Sequence, residues 1–268
     1  MTRIRRPAVA GSFYPADAAR LASAVDGYVA AGRARLTHLD GERTPKAIIA
    51  PHAGYVYSGP IAGTAYAAVA AEAPAIERVV LLGPAHRVAV DGLAASSADA
   101  FATPLGEVAL DRPAIDHVRR RSAVVVDDTA HAAEHSLEVH LPFLQRLLPQ
   151  TFALVPFAVG DASHEAVADV LEDLWGGRET LIVVSSDLSH YHDYATANRL
   201  DVDTAQAIER LEADRLGGGS ACGRIPIGGL LVAARRRHLQ VHRLDLRNSG
   251  DTAGSRDEVV GYGAFAIA

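Results

Sequence analysis

The chain has one cysteine, one methionine and one tryptophan in 268 residues. A lone cysteine, Cys222, excludes an intrachain disulfide and fits a reducing, cytoplasmic compartment. No uncharged apolar stretch reaches the roughly 18 residues that a membrane-spanning helix needs. The charged start Met1-Thr2-Arg3-Ile4-Arg5-Arg6 is not followed by an apolar core long enough for a signal peptide. A net charge of -6 gives no electrostatic reason to expect nucleic acid or an acidic membrane as partner. Phosphate-cradling loops and a nucleophile elbow are missing too, and Gly217-Gly218-Gly219 does not follow a strand as a dinucleotide fingerprint would. His135 and His140 are five positions apart, which departs from the four-residue spacing of a helical zinc-protease motif. There is no internal repeat and no domain-splitting linker, so residues 1–268 are expected to form one domain.

What is present is a sizeable apolar content, 49%, distributed in short runs between helical patterns. Lys46 to Ala50, Glu77 to Gly83, Thr151 to Val159 and Thr180 to Ser185 read as buried strands. Leu93 to Ser96 and Glu107 to Leu110 read as shorter ones, with Thr103 to Gly106 as the turn between, and Ala123 to Val126 is apolar and β-branched. Leu239 to Leu246 and Val259 to Ile267 alternate in strand fashion. Helices are expected at Ala16 to Ala31 with Gly32 as its stop, Pro60 to Glu72, Arg112 to Arg121, Glu134 to Leu148, Ser163 to Trp175, Ala195 to Ala213 and Ile225 to Arg237. Arg33 to Thr44 reads as loop. The first strand, helix and strand imply a parallel pair joined by a helical crossover. The whole pattern predicts an α/β fold: a mixed, mostly parallel sheet with helices on both faces.

Ligands of such sheets sit beyond the carboxyl ends of the strands. Three strand ends carry polar clusters there: Pro51-His52-Ala53-Gly54-Tyr55-Val56-Tyr57, Pro84-Ala85-His86-Arg87, and Ser186-Asp187-Leu188-Ser189-His190-Tyr191. His52 and His86 on neighbouring strands strengthen each other as imidazole ligands of one metal ion, against the plainer reading of loop histidines bonded to backbone. Asp187 is either an orienting or ligating carboxylate or a turn residue. His190, with His192 as its competitor, suits proton transfer. Cys222 precedes a helix and stands beside Arg224. That predicts a lowered pKa and a metal-binding or redox-active thiolate, against an inert buried cysteine. Tyr55 and Tyr57 are expected along the same cavity. His135 reaches it from a helix start, while Glu138 and His140 read as structural or solvent-facing. His38, His117, His131, His164, His238 and His242 are assigned to loops or polar faces, and Arg235-Arg236-Arg237 to a solvated helix end.

The motifs Ala10-Gly11-Ser12-Phe13-Tyr14-Pro15, Ile49 to Tyr55, Leu82 to His86, Glu134-His135-Ser136-Leu137-Glu138-Val139-His140-Leu141-Pro142, Ser185 to His190, and Cys222 to Gly228 stand in order along nearly the whole chain. Together they resemble the Memo family, in prokaryotes protein B of the AmmeMemoRadiSam system. The resemblance implies a fold similar to class III extradiol ring-cleavage dioxygenases. By motif it assigns His52, His86 and Cys222 to a metal, His190 to acid–base work with Asp187 beside it at the catalytic centre as a ligand or orienter, and Phe13, Tyr57 and His135 to the substrate pocket. Cys222 stands near the place of the glutamate ligand of the dioxygenases, and a thiolate is softer than a carboxylate, favouring iron–sulfur bonding, copper or zinc. The reading is a metal-dependent redox enzyme holding iron, with copper or zinc as alternatives. A second reading is a binding module that takes a phosphate- or carboxylate-bearing peptide or small molecule, with Arg224 nearby. A third is hydrolysis by zinc-activated water. The resemblance also implies a radical SAM protein and an AMMECR-type protein as partners.

Overall fold

A computed structural model describes residues 2–36, 44–120 and 123–268. His38 lies outside the described residues. In chain order the elements are β1 (Ile4–Arg5), α1 (Ala18–Leu36), β2 (Ala47–Ala50), α2 (Tyr55–Ala68), β3 (Arg78–Pro84), β4 (Leu93–Ala95), β5 (Ala100–Thr103), β6 (Gly106–Ala109), α3 (Arg112–Val118), β7 (Val124–Val126) and α4 (Thr129–Ala132). They continue with α5 (Leu141–Leu147), β8 (Ala153–Val159), α6 (His164–Asp173), β9 (Thr180–Ser185), β10 (His190–His192), α7 (Tyr194–Glu209), α8 (Arg224–Arg236), β11 (Val241–Asn248) and β12 (Val259–Ile267).

The expected α/β architecture is present. The main sheet runs β10-β12-β2-β9-β3-β8-β4-β7, with β11 also paired to β12, and β1-β5-β6 form a small second sheet. Its centre, β2-β9-β3-β8, is parallel, and β12 and β4 flank it antiparallel. β2 and β9 are buried at every residue, which is why they are continuous apolar runs rather than alternating ones. Asp245 and Asn248, of opposite parity on β11, bond Thr64 of α2 and Asn198 of α7. Side chains alternate across a strand, so these two helices cover opposite faces of the sheet. The arrangement is consistent with a class III extradiol dioxygenase-like fold.

Several local expectations are corrected. The parallel pair expected from β2 and β3 is split by β9, which hydrogen-bonds to both. The turn at Thr103 to Gly106 closes the β5–β6 hairpin, and the strand before it is Ala100–Thr103, not Leu93 to Ser96. α1 does not stop at Gly32. A Cβ there would lie 2.5 Å from the Gly63 carbonyl oxygen, so that glycine is needed for the close approach of α1 to α2. α1 therefore continues through Leu36, where loop was expected. α2 begins at Tyr55, not Pro60, and Pro60 is inside it. Tyr55 is consequently core: it is 3% exposed and its hydroxyl donates to the Val139 carbonyl. The long helix expected from Glu134 to Leu148 is an irregular segment, a 3-10 turn at Glu138–His140 and the short α5. Of the two readings of Glu138 and His140, structural or solvent-facing, their full burial supports the first, whereas His131, assigned to a loop or polar face, is fully buried too.

Candidate functional site

β2, β3 and β9 end at one edge because they are parallel, and His52, His86 and Asp187 each lie two residues past their strand. Cys222 joins them from the turn before α8. That turn sits on the end of β9: the Cys222 amide donates to the Asp187 carbonyl (3.3 Å) and the Gly223 amide to Ser186 Oγ (2.9 Å). Glycine is required at 223, because a Cβ would stand 2.6 Å from the Ser185 carbonyl oxygen. The result is a cleft of about 690 Å³ whose lining includes Phe13, His52, Tyr57, His86, Arg87, His135, Asp187, His190, His192, Cys222 and Tyr262.

Within it, one donor atom each of His52, His86 and Cys222 lies within 4.8 Å of the other two. Cys222 Sγ is 3.4 Å from His52 Nε2. Both imidazoles are tied at Nδ1: His52 to Ser185 Oγ at 2.6 Å, His86 to Glu134 Oε1 at 2.9 Å. Nδ1 being engaged, Nε2 is the nitrogen left to each ring for the cleft. Asp187 Oδ1 accepts from the His52 amide (2.8 Å), and Oδ2 is 3.9 Å from His52 Nε2. His190 donates Nδ1–H to the Leu188 carbonyl (2.8 Å), which again leaves Nε2. The ring of His135 stacks on His86 (centroids 4.7 Å apart, planes at 21°) and packs against Phe13 (4.8 Å). His135 thus reaches the cleft from an irregular turn rather than from a helix start.

Burial dominates the electrostatics. It holds His52 well below the usual imidazole range, helped by the neighbouring histidines. It lowers His190 and brings His135 down to about 4. It raises Asp187 to about 7 against the amides of His52 and Ala53 that favour the carboxylate. Burial also works against ionised Glu134, but hydrogen bonds from His86 and Ser136 outweigh it and hold the carboxyl down to about 2. Cys222 overturns an expectation. Burial and the nearby Asp187 push its thiol up to about 12, where a helix start and Arg224 were expected to lower it. Desolvation of a thiolate outweighs a helix terminus here.

The groups that hold His52 and His86 at Nδ1, Ser185 and Glu134, have no sequence-based functional assignment. Glu134, Ser136 and Ser185 lie inside the quoted motifs but carried no assigned role. Glu134, His86 and His135 also have metal-ligand proximity. The Glu134 carboxylate, however, accepts from His86 Nδ1 and from the amides of His86, His135 and Ser136. Its oxygens are directed at N–H groups, so that cluster orients rather than ligates. Arg87, not Arg224, is the arginine that lines the cleft, and it makes no ion pair among the described residues.

Comparison with known proteins is concordant. The profile of the family described as Memo-like protein matches residues 5–266. A MEMO1 family protein of Methanopyrus kandleri is 37% identical, covering 98% of this chain and 98% of its own. MEMO1 family proteins of Aquifex aeolicus (36%, covering 97% of each chain) and Aeropyrum pernix (38%, covering 99% of this chain and 100% of its own) are similar to the same extent. A profile match over nearly every residue, joined by relatives aligned end to end, places this chain in the Memo family.

Proposed function

We propose that the cleft holds one transition-metal ion between His52, His86 and Cys222, and that the protein is a metal-dependent redox enzyme. Iron is the first choice, copper or zinc the alternatives. The observation that carries the proposal is the convergence of two imidazoles and one sulfur within 4.8 Å, both imidazoles being held at Nδ1. The donor chemistry fits: two neutral nitrogens and a soft sulfur suit iron, copper or zinc better than magnesium or calcium. A cation at this place also resolves the thiol, since a coordinating sulfur gives up its proton despite burial. When bound, such an ion would supply Lewis acidity and, for iron or copper, one-electron chemistry.

The chain's own residues do the rest. His190, held below the usual imidazole range by partial burial, offers Nε2 to accept and return a proton at the cleft. Asp187 fixes the His52 backbone through the His52 amide and brings its second carboxyl oxygen to 3.9 Å from His52 Nε2, beside the cleft. Phe13, Tyr57 and His135 supply apolar and aromatic surface for a substrate. As partners we propose the radical SAM and AMMECR-type proteins implied by the resemblance, to be sought by co-purification. The test of the centre is metal analysis of protein purified without chelator, alongside His52→Ala and His86→Ala. Stoichiometric iron or copper in the unaltered protein, lost in both variants, is expected. Equal metal content in all three would overturn the proposal.

Arg87 favours a second reading, a binding module for a phosphate or carboxylate. It brings to the cleft wall a guanidinium that has no ion-pair partner among the described residues. Phosphate binding by metal-free protein that is lost in Arg87→Ala supports it; binding of equal strength in that variant rejects it.

A further inference from the structure

We infer that the irregular turn Glu134–Ser136 is the positioning device of the centre: it sets the tautomer of both His52 and His86, so that each imidazole presents a bare Nε2 to the cleft. The inference rests on the proposed assignment of those histidines as ligands. The argument is one of proton accounting. The Ser185 hydroxyl has one hydrogen, and a carbonyl can only accept. That hydrogen therefore goes to the Ser136 carbonyl, 2.6 Å away. What Ser185 Oγ offers to His52 Nδ1 at 2.6 Å is a lone pair, so the ring carries its proton on Nδ1. At the second histidine, Glu134 Oε1 accepts from the amides of His135 and Ser136 (both 2.9 Å) and Oε2 from the amide of His86 (2.6 Å). Both oxygens are acceptors, so His86 Nδ1 at 2.9 Å is the donor. One short turn thus acts on two strand ends, directly on His86 and through Ser185 on His52.

The turn is itself fixed. Ser136 Oγ donates to the Pro84 carbonyl at the end of β3 (2.9 Å), and Arg5 Nη2 donates to the Glu134 carbonyl (2.6 Å). Ser136 is 0% and Glu134 1% exposed, so water does not compete for these bonds. The same network accounts for the missing helix. The Ser136 carbonyl is directed at Ser185, and the His140 amide bonds Leu137 instead. The two supports are unequal. A carboxylate acceptor makes a charge-assisted bond, roughly twice as strong as a neutral one. It also raises the donor strength of its imidazole more. His86 is therefore the stronger ligand and His52 the weaker.

The first measurement uses the unaltered, metal-free full-length chain: the nitrogen-15 shifts of the histidine rings. Nδ1–H tautomers for both His52 and His86 are expected, and an Nε2–H tautomer in either overturns the inference. The second is a cobalt(II) titration followed by the ligand-field absorption band, for the unaltered protein, Glu134→Gln, Ser185→Ala and the control His86→Ala. Gln at 134 turns an amide donor toward backbone N–H groups. Affinity about 10- to 100-fold weaker is expected for Glu134→Gln, with a smaller loss for Ser185→Ala. If His86→Ala abolishes binding while both other variants bind within about twofold of the unaltered protein, the positioning role is refuted and the metal centre stands. If the unaltered protein binds no cobalt, the metal reading fails, and the ring tautomers still decide whether the turn sets them. Should Glu134→Gln not fold, the tautomers of the unaltered chain and the Ser185→Ala titration decide.

Discussion

Replacing Glu138 with alanine asks whether the segment bearing Glu134 and Ser136 is held in place by a buried charge network. The Glu138 side chain is 0% exposed. Its carboxylate accepts from Arg5 Nη1, from the amides of Ala8 (2.7 Å) and Val9 (3.0 Å), and from the Tyr14 hydroxyl (2.5 Å). Arg5, only 7% exposed at its side chain, also donates to the carbonyls of His131 and Glu134. Truncation removes the counter-charge of a buried guanidinium, which costs about 3–5 kcal/mol. Two amides and a phenol lose their acceptor as well, at about 1–3 kcal/mol each when water cannot reach them. The vacated volume admits water, so these losses overlap, and about 5 kcal/mol in total is expected. Typical stability is only about 5–15 kcal/mol, so the variant should lose a third or more of it. Urea unfolding followed by circular dichroism reads the difference, and the thermal midpoint should fall by roughly 10 °C. Glu138→Gln keeps the volume and one acceptor but not the charge, and should fall between. A loss under about 1 kcal/mol for Glu138→Ala would refute the reasoning, because it would mean that Arg5 is rehydrated without cost.

Three further outcomes are expected from the packing and burial of the chain. Gly63→Ala drives a methyl to 2.4 Å from the Tyr28 carbonyl oxygen, backbone that cannot swing aside, and should cost about 1–3 kcal/mol in urea unfolding by forcing α1 from α2. Burial holds His131 down to about 4 and His140 down to about 3, below the unfolded value near 6.5. The folded state binds fewer protons, so each contribution is intact above about pH 6.5 and is lost as pH falls toward the folded pKa, at about 1.4 kcal/mol per pH unit. Unfolding free energy measured between pH 7 and pH 4.5 should drop less steeply for His131→Gln than for the unaltered chain, and an equal slope would contradict the assignment. Cys222→Ser replaces the soft sulfur by a neutral hydroxyl and should lower copper or iron affinity at least about tenfold by equilibrium dialysis, with unfolding unchanged within about 1 kcal/mol.

The sequence alone is enough to read the layered α/β fold and most of the strand positions. Strands covered on both faces must be apolar throughout, and runs such as Ile48 to Ala50 and Leu181 to Val184 show this without any partner in view. It also placed His52, His86 and Asp187 at strand ends, where a parallel sheet collects them. Cys222 needed the family resemblance, because nothing local ties it to strands far away in the chain. Tertiary structure alone decided the rest. Insertion of β9 between β2 and β3 depends on pairing across distant segments. The role of Gly32 is set by a helix that comes later. The bonds from Glu134 to His86 and from Ser136 to Ser185 join residues 48 and 49 positions apart, beyond the reach of any periodicity. The thiol of Cys222 was misjudged for the same physical reason: local sequence shows the helix start and the neighbouring arginine, but desolvation comes from atoms that only folding brings near.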